Sequence, residues 1–164
     1  MIKHLDLRNV EDETQYKNAL KVMKRSKSVK NLGIINCSPK FTNKLIVKAI
    51  SNLPEIESLT ISNKTTERNI VLPEFPSTIK LIRTLEHLQT LEINNVYIGE
   101  DTQRQIAKFK TLKSFKINGK GSFTDELRTH FSTPNFFKKL AKNCKELDTI
   151  ELKEDARAGY MVSS

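Results

Sequence analysis

Three histidines and two cysteines are the side chains best suited to catalysis in this 164-residue chain. A catalytic His must reach the nucleophile it activates. His4, His87 and His130 fall in widely separated stretches, and no spacing pairs them with Cys37 or Cys144. Metal chemistry would need ligands at helical or turn spacing, and C-x-x-C, H-E-x-x-H and Asp-rich calcium loops do not occur. Gly119-Lys120-Gly121-Ser122 has the glycines of a phosphate cradle without the upstream Gly such a loop requires, and it reads as a turn. Acids are frequent but form no pair that spacing alone defines. Cys37 and Cys144 read as small buried packing residues. The expectation is a protein that is not an enzyme, with no metal, no cofactor and no small-molecule substrate.

Composition narrows the class further. Hydrophobic residues make up 37% and charged residues 29%, with 28 Lys and Arg against 19 Asp and Glu, a net charge of +9. No apolar run approaches the roughly 18 residues of a membrane-spanning helix. The opening Met1-Ile2-Lys3-His4-Leu5-Asp6 carries charges where a secretory leader would be apolar. Two cysteines far apart supply no disulfide framework. An intracellular protein, cytoplasmic or nuclear, follows as the expectation. The sequons Asn36-Cys37-Ser38 and Asn63-Lys64-Thr65 then read as coincidental.

The elements that must position any site come from an internal repeat. Six segments share an apolar-x-x-apolar-x-apolar frame: Ile2-Leu5-Leu7, Val29-Leu32-Ile34, Ile56-Leu59-Ile61, Leu88-Leu91-Ile93, Leu112-Phe115-Ile117 and Leu147-Ile150-Leu152. All eighteen positions are aliphatic or Phe, and successive frames start 27, 27, 32, 24 and 35 residues apart. Between them the apolar spacing is helical. Tyr16, Leu20 and Met23 mark one such stretch, and Leu45, Ala49 and Leu53 another, with Thr42 as its N-cap. Ser77 precedes Ile79, Ile82 and Leu85, and Asp101-Thr102 precede Ile106 and Phe109. Thr133-Pro134 opens the last helix, which carries Phe137, Leu140 and Ala141. Each unit is strand, turn, helix and return.

This frame resembles the leucine-rich repeat, in its ribonuclease-inhibitor-like and cysteine-containing branches. In Leu32-Gly33-Ile34-Ile35-Asn36-Cys37, Cys37 takes the ninth, Asn-or-Cys position of that repeat. The run Leu140-Ala141-Lys142-Asn143-Cys144-Lys145-Glu146-Leu147 resembles the helix end of repeats in F-box-type substrate receptors, although no F-box motif is present. The other ninth positions hold Val10, Lys64, Val96, Lys120 and Asp155, while Asn recurs one place earlier at Asn9, Asn36, Asn63 and Asn95. That shifts the turn by one residue. The resemblance implies an α/β leucine-rich-repeat solenoid of about six strand-helix units over residues 1–155, followed by a tail at 156–164. Its parallel sheet would line the concave face and its helices the convex face. The chain opens inside a strand frame at Ile2, so a short solenoid or part of a longer one is expected. That first edge would be covered, or blunted by charges such as Lys3 and Arg8.

Strand alternation assigns the third, fifth and seventh frame positions to the outward side of the sheet. The third-position row reads His4, Asn31, Ser58, Thr90, Ser114, Thr149. The fifth reads Asp6, Gly33, Thr60, Glu92, Lys116, Glu151, and the seventh Arg8, Ile35, Ser62, Asn94, Asn118, Lys153. A small, polar, near-neutral surface results. Asn31, Ser58, Thr60, Thr90, Glu92, Asn94, Ser114, Lys116 and Asn118 are its candidate contacts for a protein partner. Phe123, just past a Gly-rich turn, is a candidate loop anchor, with the Pro-bounded segment Ile70 to Pro76 second to it. The helical stretches hold 16 Lys and Arg against Glu86, Asp101 and Glu146, a net of +13. Lys17, Lys21, Lys24 and Arg25, with Lys138, Lys139 and Lys142, form a candidate polyanion patch. A non-catalytic adaptor is therefore expected, with nucleic acid or another polyanion as the alternative partner.

Overall fold

The six frames become six strands. A computed structural model describes residues 2–63, 69–120 and 133–155. In it β1 (His4–Arg8), β2 (Asn31–Ile35), β3 (Ser58–Ser62), β4 (Thr90–Asn94), β5 (Ser114–Lys120) and β6 (Thr149–Asp155) form one parallel sheet in sequence order. Parallel neighbours need a crossover. Among the described residues each crossover contains one helix: α1 (Glu13–Lys24), α2 (Pro39–Asn52), α3 (Phe75–Ile82), α4 (Glu100–Ile106) and α5 (Thr133–Asn143). The architecture is α/β and repeat-like, and each helix packs chiefly beside the one before and after it.

Register follows the frame without a slip. Leu5, Leu32, Leu59, Leu91, Phe115 and Ile150 lie in one row, and Leu7, Ile34, Ile61, Ile93, Ile117 and Leu152 in another. Side chains of a strand alternate between faces, so both rows point to the helices, and those of β2 to β5 are fully buried. The helices return the contact with Met23, Leu45, Ile46, Ile79, Ile82, Ile106 and Leu140 in one continuous cluster.

The entries of β2 to β6 and the exits of β1 to β4 each repeat one backbone device. The second-position carbonyls of Lys3, Lys30, Glu57, Gln89 and Lys113 each accept two N–H groups from the next unit. At the exit, the N–H groups of Asn9, Asn36, Asn63 and Asn95 donate to the seventh-position carbonyls of the next strand. Asn9, Asn36 and Asn95 have φ of 57°, 54° and 60°. Asn tolerates that left-handed conformation better than most side chains, which accounts for Asn at these three exits; Asn63 is not left-handed. Among the ninth-position residues, Val10, Cys37 and Val96 are buried beneath the turns.

Helix starts depart from expectation in three places. Ser38 precedes Pro39 at the head of α2, and Thr42 lies inside the helix, where its hydroxyl donates back to the Ser38 carbonyl at 2.9 Å. Glu74, with φ of 55°, turns the chain into α3, so Ser77 is already helical. Gly99 rather than Asp101 precedes α4. In all three the turn geometry sets the start, ahead of the nearest hydroxyl or carboxylate. α5 does begin at Thr133. α1 opens with a capping box, in which Asp12 accepts from the Gln15 N–H at 2.8 Å and Gln15 accepts from the Asp12 N–H. Asp12→Ala should cost about 1 kcal/mol, measured as a lower urea midpoint at unchanged slope.

The Pro-bounded insertion is tied down rather than free-standing. Ile70 bridges to Val96, with hydrogen bonds to Asn95 and Tyr97, and the Asn43 side-chain amide donates to the Pro73 carbonyl. Leu72 and Phe75 are buried while Val71 is 65% exposed.

Candidate functional site

On the outward side of the sheet, the candidate residues come together as the frame requires. Asn31, Ser58, Thr90 and Ser114 follow one another across β2 to β5. Thr60, Glu92 and Lys116 form the next row, and Asn94 and Asn118 the third. The centre of this face is small hydroxyls. Its two ends are charged and internally bonded.

At the β1 end, Asp6 accepts from Arg8 (Nη2 to Oδ2, 2.9 Å), and His4 Nε2 lies 3.1 Å from its Oδ1. The Asp6 carboxylate lies against Gly33, where an added Cβ would come within 2.2 Å of Oδ1. Glycine at this outward position leaves room for that triad. At the other end, Glu92 accepts from Asn94 Nδ2 at 3.1 Å, and Glu151 meets Lys153 Nζ at 2.8 Å. The Lys153 hydrogen bond holds the Glu151 carboxyl below its ordinary range, and the same bond raises the Lys153 ammonium. Lys116 stands in register between Glu92 and Glu151. Sequence reasoning left Glu151 and Lys153 out of the candidates, although their rows contained them. The sign alternation Glu92, Lys116, Glu151 across neighbouring strands was the available signal.

The basic residues do not form one patch. Lys17, Lys21 and Lys24 follow i, i+4, i+7 along α1, and Arg25 is its C-cap. Lys138, Lys139 and Lys142 belong to α5. All seven are exposed. Helices pack in chain order, so α2, α3 and α4 lie between the two clusters. At about 8–10 Å per helix pair the separation is on the order of 35 Å. The lysines of α2 are partly engaged: Lys40 and Lys44 approach Glu13 at 3.9 and 3.8 Å and lie over the Phe41 ring.

Both cysteines are buried in the core. The Cys37 thiol lies 3.6 Å from the Leu7 and Ile35 carbonyls, and the Cys144 thiol donates to the Phe109 carbonyl at 2.9 Å. Burial raises both thiol pKa values, against a smaller lowering by backbone hydrogen bonds. Thiolate is the reactive form. Labelling by a thiol reagent at pH 8 should therefore be slow in the native chain and fast in denaturant. The sign for stability follows from the same shift. With folded pKa above the unfolded value, stability holds at neutral pH and falls as pH rises past about 9.

The described residues also contain no group of three or more His, Cys, Asp or Glu able to hold a metal ion. No helix among them is long and apolar enough to cross a membrane. Gly119 and Lys120, read from sequence as a turn, continue β5 instead. Phe123 and His130 lie outside the described residues, as does the 156–164 tail. No family model, curated protein or solved structure matches the chain.

Proposed function

We propose that the chain is a non-catalytic leucine-rich-repeat module that binds a protein partner on the outward face of its sheet. One observation carries this reading. Register aligns Ser58, Thr60, Thr90, Glu92, Asn94, Ser114, Lys116 and Asn118 on adjoining strands as a continuous polar surface. The repeat assignment is supported by the strand and helix recurring every 24 to 35 residues, by left-handed Asn at the exits of β1, β2 and β4, and by buried Cys37 at the ninth position. In that family the strand face is concave, and small side chains at its centre leave room for a partner's backbone. Glu92, Lys116, Asn94 and Asn118 then supply charge and amide contacts at one end.

The test is affinity capture with wild type and with the triple variant Thr60→Arg, Glu92→Lys, Lys116→Glu, quantified by mass spectrometry. These side chains point away from the core, so the melting temperature should move by no more than about 2 °C. The expected result is loss of the proteins captured by wild type. Undiminished capture would place the binding face elsewhere.

A second reading is an adaptor for nucleic acid or another polyanion. It is favoured by α1, whose Lys17, Lys21 and Lys24 share one face and form no ion pair among the described residues. Titrating a duplex oligonucleotide at increasing salt separates the readings. A linear fall of log affinity with log salt, abolished by Lys21→Glu/Lys24→Glu/Arg25→Glu, supports the polyanion reading. Absence of binding at low salt removes it.

A further inference from the structure

Between the C-terminal ends of α3 and α4 the surface opens into a groove of about 910 Å³. It lies on the helix side, away from the sheet face, and concerns neither basic cluster discussed above. Lys80, Arg83, Lys108 and Lys110 line it against a single acid, Glu86. No carboxylate among the described residues is ion-paired with any of the four cations. Cations near helix C-termini are favourable to the helix dipole, and one per helix would meet that need. Here four converge on one concave surface. Arg83 is half-buried, and its Nε is buried without a hydrogen-bond partner; its guanidinium is a planar fork suited to a carboxylate.

The groove also has an apolar component. Leu81, also in the lining, is 42% exposed, one of few large aliphatic side chains at the surface among the described residues. Single-stranded nucleic acid binds by stacking bases on exposed aromatic rings. The aromatic ring in this lining, Phe109, is only 2% exposed. A ligand that matches both parts is a short acidic peptide with one aliphatic residue.

We infer that this groove is a docking site for an acidic peptide segment, whose carboxylates meet Lys80, Arg83, Lys108 and Lys110 and whose aliphatic side chain packs on Leu81. Glu86 sets the direction by repelling one end of the segment. The site uses different residues from the sheet face, and it stands independently of the partner proposed there.

Fluorescence anisotropy with a labelled nine-residue peptide of Asp and Glu around one central Leu tests the site. Two control probes are the same peptide with Ser replacing that Leu, and a single-stranded oligothymidylate of equal charge. The Leu peptide should bind most tightly, and the Ser peptide about threefold more weakly. Arg83→Glu/Lys108→Glu should weaken the Leu peptide at least tenfold. Lys80→Glu/Lys110→Glu, at exposed positions, provides a second pair with the same expected loss should the first pair perturb folding. The sheet-face triple variant should bind the peptide as wild type does. Unchanged affinity in both charge-reversal pairs would overturn the proposal. So would an oligothymidylate that binds as tightly as the peptide, or loss of peptide binding on reversal of Lys21 and Lys24 instead.

Discussion

Leu91→Asp should abolish the cooperative thermal transition. Leu91 is 0% exposed, at the centre of a row that runs from Leu59 to Phe115. Removing the Leu side chain forfeits about 3–5 kcal/mol of packing and cavity energy. Placing a carboxylate there, with aliphatic and aromatic neighbours, adds several kcal/mol more or forces it to stay protonated. Domains of this size are stable by about 5–15 kcal/mol, so the sum consumes most or all of it. Leu91→Ala provides the graded comparison, with an expected loss of about 3–4 kcal/mol and a transition that survives. Leu5→Asp, in the same row but half-buried on the edge strand, should be the mildest of the three. A circular dichroism melt of Leu91→Asp equal to wild type would show that the row does not face the core.

Asn95→Val should be the most destabilising change at any strand exit. Asn95 holds φ of 60°, and its side-chain Nδ2 donates to the Asn63 carbonyl at 3.1 Å in a buried setting. A β-branched residue in the left-handed region costs about 1–2 kcal/mol or more. Leaving the Asn63 carbonyl without its partner costs about 1–3 kcal/mol in addition. The total is about 2–5 kcal/mol, read from urea unfolding. Asn95→Gly separates the two contributions: glycine accepts the backbone angle, so only the lost hydrogen bond and chain entropy remain. Equal losses for Val and Gly would mean that the backbone angle is not what selects Asn there. At Asn9, which is exposed and has the same positive φ, Gly should be close to neutral.

Much of this architecture is written locally. An apolar-x-x-apolar-x-apolar frame can bury only one side of a strand, so the rows headed by Leu5 and Leu7 follow from Leu and Ile placement alone. The outward rows, with Glu92 beside Lys116 and Asn94 beside Asn118, follow from the same alternation. Helix starts were less legible, because Ser38, Glu74 and Gly99 take their role from the chain direction out of each turn. A hydroxyl such as Thr42 or Ser77 carries the same composition signal from inside a helix. Distances across the helix layer were not legible either. Lys21 and Lys142 share a composition but are separated by three helices, whereas Arg83 and Lys108 come together because α3 and α4 are neighbours. Sequence spacing ranks charges by density along the chain, and a surface site depends on density in space.

The sequence-order sheet also has a mechanical meaning. The main contacts of each strand and helix are with the unit before and the unit after. Tension applied between the two edge strands is therefore borne by one neighbouring pair after another, rather than by a single shared tie. Each unit that peels away frees 24 to 35 residues of chain. At roughly 3.5 Å per extended residue, that is about 80–120 Å of added length per step. Pulled from its ends, the protein would yield as a series of small ruptures and re-form from whichever units remained seated, like a ratchet.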